Sequence, residues 1–305
     1  MPELPDITAY IEALKPRVLN QPLRDIRLSS PFLLRSIDTP LSELSGKKVT
    51  NLRRLGKRIV FGFENDVFLI VHLMIAGRFH WKDSPVKPNR QTLASFIFPT
   101  GTLTLTEAGS KKRAAMYCVR GDKALAAHNP GGLEIFETDL ESFAAALRNE
   151  NHTLKRSLTD PHFFSGIGNA YSDEILHADC LSPLKLTDRL DDEEIRRLFE
   201  ATQDTLKFWC DKLSDEARES FPEKVTAFRK EMAVHGRYGK PCPRCGTPVQ
   251  RIVYAANEAN YCPKCQTGGK LLADRALSQL LKQDWPKTLE ELEQRISDKR
   301  VNAAT

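Results

Sequence analysis

CPRCGTPVQRIVYAANEANYCPKC, residues 242–265, carries two CxxC knuckles separated by sixteen residues. Each knuckle presents two thiolates from a tight turn, and two knuckles close a tetrahedral shell of the kind zinc accepts. Four thiolates leave no position for water. The stretch is therefore expected to hold one structural Zn2+ on Cys242, Cys245, Cys262 and Cys265, with no chemistry of its own. A redox dithiol or an iron–sulfur site is the alternative use of the same four residues. The loop between the knuckles is expected to form a β-hairpin with its tip near Asn257, and a basic hairpin suits phosphate contacts. Between Gly236 and Lys270 there are six basic residues against Glu258 alone, a net +5, which equals the formal charge of the whole chain. Everything outside that segment sums to zero, so the basic charge is concentrated on the finger. A polyanion such as nucleic acid is the partner this implies; a merely solvated basic surface is the plainer reading.

The rest of the composition sets limits. The chain has 305 residues, enough for two domains and a small appendage. No apolar run approaches the ~18 residues that span a bilayer, and no basic-then-apolar leader opens the sequence, so an intracellular, cytoplasmic location is the default and no membrane is expected. The total of seven cysteines is odd, which argues against a disulfide framework. Cys118, Cys180 and Cys210 read as small buried hydrophobes.

Upstream of the finger the texture changes twice. Asp6 to about Val18 reads as a helix with Asp6 as N-cap and Ile7, Ile11, Leu14 and Val18 on one face. From Pro22 to about Arg120, short β-rich runs such as KRIVFGF, DVFLIVHL, ASFIFP and TLTLTE predict a sandwich or barrel. HNPGG at His128–Gly132 closes this region. Helical patterns follow in ETDLESFAAALRN, in TLKRSLTDPHFF, over Asn169–Ala178, and in a long amphipathic helix starting at DDEEI. Ser214–Ala233 reads as a mobile segment or surface lobe, and the tail as helical to about Arg300. Between two of the helices lies FSGIGN, Phe164–Asn169. Gly166 and Gly168 permit positive φ and a close backbone approach, so amide N–H groups there can converge on an anion. Asn169 is expected to cap the next helix or add a donor. A plain helix-turn-helix corner explains the glycines equally well.

The N-terminus MPELPDITAY puts Pro2 and Glu3 behind the initiator methionine. Removal of Met1 would expose a secondary amine whose ordinary pKa is near ~8. Such an amine can attack an aldehyde carbon to give a cationic iminium. A stiff, capped entrance to the first helix is the plainer reading.

Together PELPD, Gly56-Lys57, HLMIAG at His72–Gly77, GIGNAYSDE at Gly166–Glu174 and GRYGKPC…YCPKCQ occur in an order that resembles the formamidopyrimidine-DNA glycosylase and endonuclease VIII family, over roughly residues 1–270. The resemblance implies an α+β multidomain fold: an N-terminal β-sandwich with flanking helices (1–130), a helix–two-turn–helix DNA-binding domain (131–235), a four-Cys zinc finger (236–270) and a helical tail (271–305). It implies a bifunctional glycosylase and abasic-site lyase acting as a monomer on double-stranded DNA that carries a damaged base or abasic site. Pro2 takes the nucleophile's role, Glu3 that of the acid/base and Lys57 that of a strand lysine near the lesion phosphate. His72, Lys155 and Asn169 match positions on the lesion-flanking backbone, and Arg237 is a further phosphate contact.

The departures bear on chemistry. Asp6 stands where the family usually has glutamate. Asn257 replaces the finger arginine associated with δ-elimination. The intercalating wedge is altered: Ile75 stands in the methionine position, Arg113 keeps an arginine role, and the phenylalanine has become alanine. His235 replaces a tyrosine and Asn151 a lysine. A working enzyme with altered lesion preference, nicking by β-elimination, is the reading that follows. Two alternatives remain: a non-catalytic or lyase-only damaged-DNA-binding protein of the same fold, and a zinc-ribbon protein acting on RNA.

Overall fold

A computed structural model describes residues 1–305 except residues 110, 224, 226–227, 255–256, 274–285 and 303–305; at 254, 257 and 296–302 it describes the backbone only. The chain divides into two compact units. The first comprises Met1–Glu137, Asp160–Ile167 and Leu206–Ala227, and the second Thr138–Thr159, Gly168–Thr205 and Phe228–Thr305.

The first unit is built on eight strands: β1 (Asp25–Leu28), β2 (Val49–Leu55), β3 (Arg58–Phe63), β4 (Val67–His72), β5 (Gly77–Lys82), β6 (Thr92–Phe98), β7 (Gly101–Glu107) and β8 (Ala115–Arg120). They form two antiparallel sheets, ordered β1-β6-β7-β5 and β2-β3-β4-β8. Inward residues of both sheets, among them Phe61, Leu69, Phe79, Phe96 and Leu105, share one buried core, so this is a sandwich. Helix α1 (Leu4–Val18) lays Ile7, Ile11, Leu14 and Val18 into that core. The opposite face of β3 and β4, carrying Val60, Phe68 and Ile70, is covered by Leu125 of the short helix α2 (Asp122–Ala126).

Asp6 is not the N-cap of α1. The helix starts earlier, at Leu4, with Glu3 as the cap, and Asp6 at the third helical position accepts the Glu3 backbone N–H at 2.8 Å. Pro5 fits the first turn because its missing N–H has no intrahelical partner there.

In the second unit α3 (Leu140–Arg148) is capped by the Asp139 carboxylate, and α4 (Leu154–Thr159) and α5 (Asn169–Ala178) follow. The long α6 (Asp192–Glu219) runs from the second unit into the first. It is continuous through Ser214, where a mobile lobe was expected. Apolar spacing persists: Leu206, Trp209, Cys210, Leu213 and Ala217 are all buried. Beyond it Val225 joins the sandwich core and Phe221 packs against that core. Over Ser214–Glu219 the expectation failed because the charges there fill the outer face of a helix whose inner face is still apolar.

The finger forms the hairpin β9 (Gln250–Tyr254) and β10 (Asn257–Tyr261), then α7 (Pro263–Thr267). A last helix, α8, covers Leu289–Asn302. Of the helical tail expected from residue 271, residues 274–285 and 303–305 lie outside the described residues. Cys118 and Cys210 are buried as expected, but Cys180 is exposed. It terminates α5 with φ of 59° and receives a hydrogen bond from the Arg244 guanidinium. Among the described residues no helix is long and apolar enough to cross a membrane.

Candidate active site and nucleic-acid interface

The N-terminal segment of the first unit is held from two sides. Glu3 and Asp6 are almost fully buried, joined through the cap of α1. The Leu4 N–H donates to the Gly166 carbonyl at 2.9 Å, so the Ser165–Gly166 turn grips the chain two residues beyond Pro2. Gly166 has φ of +80°, and a Cβ there would lie 2.8 Å from Leu4 Cβ and 3.1 Å from Arg54 Nη1. Only glycine allows this approach. Gly168 does not use the same freedom, since its φ is −135°.

Arg54 organises the surroundings. Its Nη1 donates to the Gly56 carbonyl (2.9 Å) and to Ser165 Oγ (3.1 Å), while Nη2 pairs with Glu134. Ser165 Oγ in turn donates to Glu134 at 2.6 Å. The sequence shows an arginine beside Gly56-Lys57 but not its partners, which lie 80 and 111 positions away. Lys57 itself is not on a strand. It occupies the two-residue turn joining β2 to β3, where Leu55 pairs with Arg58 and Gly56 has φ of +60°. A positive φ at the first turn position suits a type II′ hairpin.

With Met1 in place, the terminal amine is its own and Pro2 is buried. Burial pushes that amine below its ordinary pKa; Glu3 and Asp6 oppose the shift, and Arg78 and Lys57 add to it. Glu3, Asp6, Arg78 and Lys57 thus act electrostatically on one partly buried point. Arg78 was not anticipated, because nothing in GRFH distinguishes it from an exposed strand cation.

The next strand ends gather further candidates. His72 closes β4, in register with Arg58 of β3 and Ala115 of β8. Burial, then Arg58 and Lys57, lowers its pKa to about 4, so the ring is neutral at pH 7. Its Nε2 is buried and has no hydrogen-bond partner among the described residues. Ile75 is 55% exposed. It stands on a tight loop in which Arg78 Nη1 donates to the carbonyls of Gly77 (2.7 Å) and Ile75 (3.3 Å), and Gly77 N–H donates to Leu73 (2.9 Å). Arg113 also points outward from a clamped backbone: its N–H and that of Ala114 bind the buried Glu107 carboxylate at 2.8 and 3.1 Å.

The second unit has its own buried network. Lys155 of α4 donates to the Asn169 carbonyl at 2.6 Å and pairs with Asp173 of α5, whose side chain is fully buried. His235 Nδ1 lies 2.7 Å from the same carboxylate, and Asn260 of β10 donates to it at 3.2 Å. Beside it, Glu174 accepts the N–H groups of Ala233, Val234 and His235. Burial pushes the Glu174 pKa up, against those three donors. Asn169 does not cap α5; Gly168 is the cap and Asn169 the first helical residue. Arg237 donates to the Lys230 carbonyl at 3.1 Å, and its Nε is buried without a partner among the described residues. For Asn257 only the backbone is described, opposite Tyr254 at the end of the hairpin; its side chain lies outside the described residues.

In the finger the four Sγ atoms of Cys242, Cys245, Cys262 and Cys265 lie within 4.8 Å of one another, with Cys245–Cys262 at 3.4 Å and Cys242–Cys265 at 4.0 Å. A tetrahedron with Zn–S bonds of ~2.3 Å has edges of about 3.8 Å, so the donor set fits one zinc ion. Tight turns place the ligands: Gly246 follows the first knuckle with φ of +75°, and Gly268 ends α7 with φ of +61°.

Residues 1–114 match the model of the formamidopyrimidine-DNA glycosylase N-terminal domain, residues 133–212 that of its H2TH domain, and residues 239–268 that of the zinc finger found in FPG and IleRS. A formamidopyrimidine-DNA glycosylase of Thermus thermophilus is 33% identical over 279 residues, which cover 88% of this chain and 100% of the relative. The chain belongs to the formamidopyrimidine-DNA glycosylase family. An uncharacterized formamidopyrimidine-DNA glycosylase-like protein of Mycobacterium tuberculosis is 39% identical over 157 residues, 50% of this chain and 93% of that one. The crystal structure of MutM (Fpg) from Thermus thermophilus superposes with a TM-score of 0.74 at 30% identity, covering 87% of this chain and 98% of that one. Wild-type Lactococcus lactis Fpg in complex with DNA containing N7-benzyl-Fapy-dG gives 0.78 at 25%, covering 87% and 100%. As in the formamidopyrimidine-DNA glycosylase finger it matches, the four-cysteine cluster is a structural zinc site.

Proposed function

We propose that this member of the formamidopyrimidine-DNA glycosylase family excises oxidised bases from duplex DNA with the Pro2 amine and nicks the resulting abasic site by β-elimination. The observation that supports the reading is the buried Pro2-Glu3 start, held by the Leu4–Gly166 bond, with Glu3 and the half-buried Lys57 both acting electrostatically on the terminal amine. After Met1 is removed, the unprotonated Pro2 nitrogen attacks C1′ of the flipped nucleotide. The C1′–N bond to the base breaks, and the base departs with its electron pair and a proton. The sugar ring opens to leave an iminium joining Pro2 to C1′, and Glu3 moves the protons that ring opening requires. The iminium acidifies the C2′ proton; its loss breaks the C3′–O bond and expels the 3′ phosphate. Water then hydrolyses the iminium and frees Pro2. Lys57 on its turn supplies positive charge near the lesion phosphate. Burial lowers the pKa of the terminal amine while Met1 is in place, against the pull of Glu3 and Asp6.

His72, Ile75, Arg113, Lys155, Asn169, Arg237 and Asn257 form the DNA-contacting set in this reading. His72 is neutral and serves as a hydrogen-bonding group, not a charge. Ile75 and Arg113 project from clamped loops suited to filling the space a flipped nucleotide leaves. The protein acts as a cytoplasmic monomer.

Borohydride trapping on duplex DNA with one abasic site tests the reaction. A covalent adduct is expected from methionine-processed protein and none from a form that retains Met1. No adduct from processed, zinc-loaded protein would reduce the chain to a damaged-DNA-binding role.

A further inference from the structure

One face of α5 carries Asp173, Glu174 and His177, at spacings that align them on neighbouring turns. The first two engage Asn260 and the residue 233–235 backbone, as described above. The third reaches the metal centre. His177 is 5% exposed, and its Nε2 lies 3.2 Å from Cys242 Sγ. A zinc-bound thiolate has no proton to give, so in this contact the imidazole N–H is the donor and the sulfur the acceptor. We propose that His177 is an outer-sphere partner of the zinc centre, donating a hydrogen bond to the Cys242 thiolate and thereby tightening zinc binding by the finger.

The chemistry supports a net gain. Four thiolates around one divalent ion carry an excess of two negative charges in a partly buried site, and a donated N–H offsets part of that excess. The geometry is reinforced nearby: Arg244, inside the first knuckle, donates to the Ala178 carbonyl at 3.0 Å, one residue past His177. Gln266, behind the second knuckle, donates to the Leu181 carbonyl at 2.8 Å and accepts the Cys262 N–H at 2.8 Å.

The test is zinc transfer from the full chain to a chromogenic chelator, with His177→Phe and His177→Gln beside wild type. Glutamine can place its amide Nε2 where the imidazole nitrogen lies; phenylalanine fills the space without a donor. Zinc affinity is expected to fall 10–100-fold in the Phe variant and to return to within a few fold of wild type in the Gln variant. In the cadmium-113 form, the metal resonance should move in the Phe variant and stay near wild type in the Gln variant. Zinc affinity within twofold of wild type in His177→Phe would overturn the proposal. Equal losses in both variants, with both metal-loaded proteins still melting cooperatively, would also overturn it, because the role would then be packing alone.

Discussion

The Lys155 ammonium is bound to the Asp173 carboxylate, a group with no exposed surface, and Lys155 itself is only 11% exposed. A lysine in TLKRSLT would ordinarily be solvated. Here it is oriented by a carboxylate that also holds His235 and Asn260.

Asp173→Asn should therefore be more damaging than Lys155→Met. The first leaves a lysine without its counter-charge and puts an amide NH2 where one of the two carboxylate oxygens accepts; about 3–5 kcal/mol of stability is expected to go. Chemical unfolding of the zinc-loaded protein measures this. If Lys155 also meets a DNA phosphate, Lys155→Met lowers the slope of log affinity against log salt by about one.

Arg54 tests whether positioning alone limits the reaction. Arg54→Ala deletes the donors to Gly56, Ser165 and Glu134 together. The expected result is a 10–100-fold fall in single-turnover trapping rate, because small displacements of a reacting group are costly. DNA affinity should change by less than about threefold. Arg54→Lys can keep one of the three contacts and should recover part of the rate. An unchanged trapping rate in Arg54→Ala would remove Arg54 from the argument.

His72 gives a pH dependence with a definite sign. Its folded pKa is about 4, against an ordinary value of 6.5. Between these values the unfolded chain binds a proton that the folded chain does not, so stability falls as pH drops through this window. Up to about 3 kcal/mol is at stake. Urea unfolding at pH 7.5 and 5 should show a smaller pH difference for His72→Gln than for wild type.

Asn257→Arg addresses the end products. Restoring a cation to the hairpin should raise the proportion of 3′-phosphate ends on abasic DNA relative to wild type. Equal proportions in the two proteins would separate δ-elimination from this position.

Much was legible in the chain before any folding. The alternating runs of β3, β4, β6 and β7 and the apolar stripe of α1 each bury a surface that the local pattern already encodes. The CxxC pairs named their ion because a tight turn places two sulfurs without help from elsewhere. Failures came where local signs were ambiguous. Asp6 looks like a cap, but the backbone turns helical at Leu4 and makes Asp6 the reciprocal partner of Glu3. Ser214–Ala233 looks like a lobe because its charges outnumber the few residues that matter to packing.

By itself the sequence determined the sandwich strands, the helical segments, the four-sulfur site and the Pro2-Glu3 start, since each depends on residues within a few positions of one another. Only the tertiary structure decided which distant groups support the site: Arg54 with Glu134 and Ser165, Lys155 with Asp173 and His235, and His177 against Cys242. Those are pairings of buried polar groups across tens of residues. Their choice follows from which partner remains within hydrogen-bond reach once the apolar surfaces have packed, and no local periodicity records that.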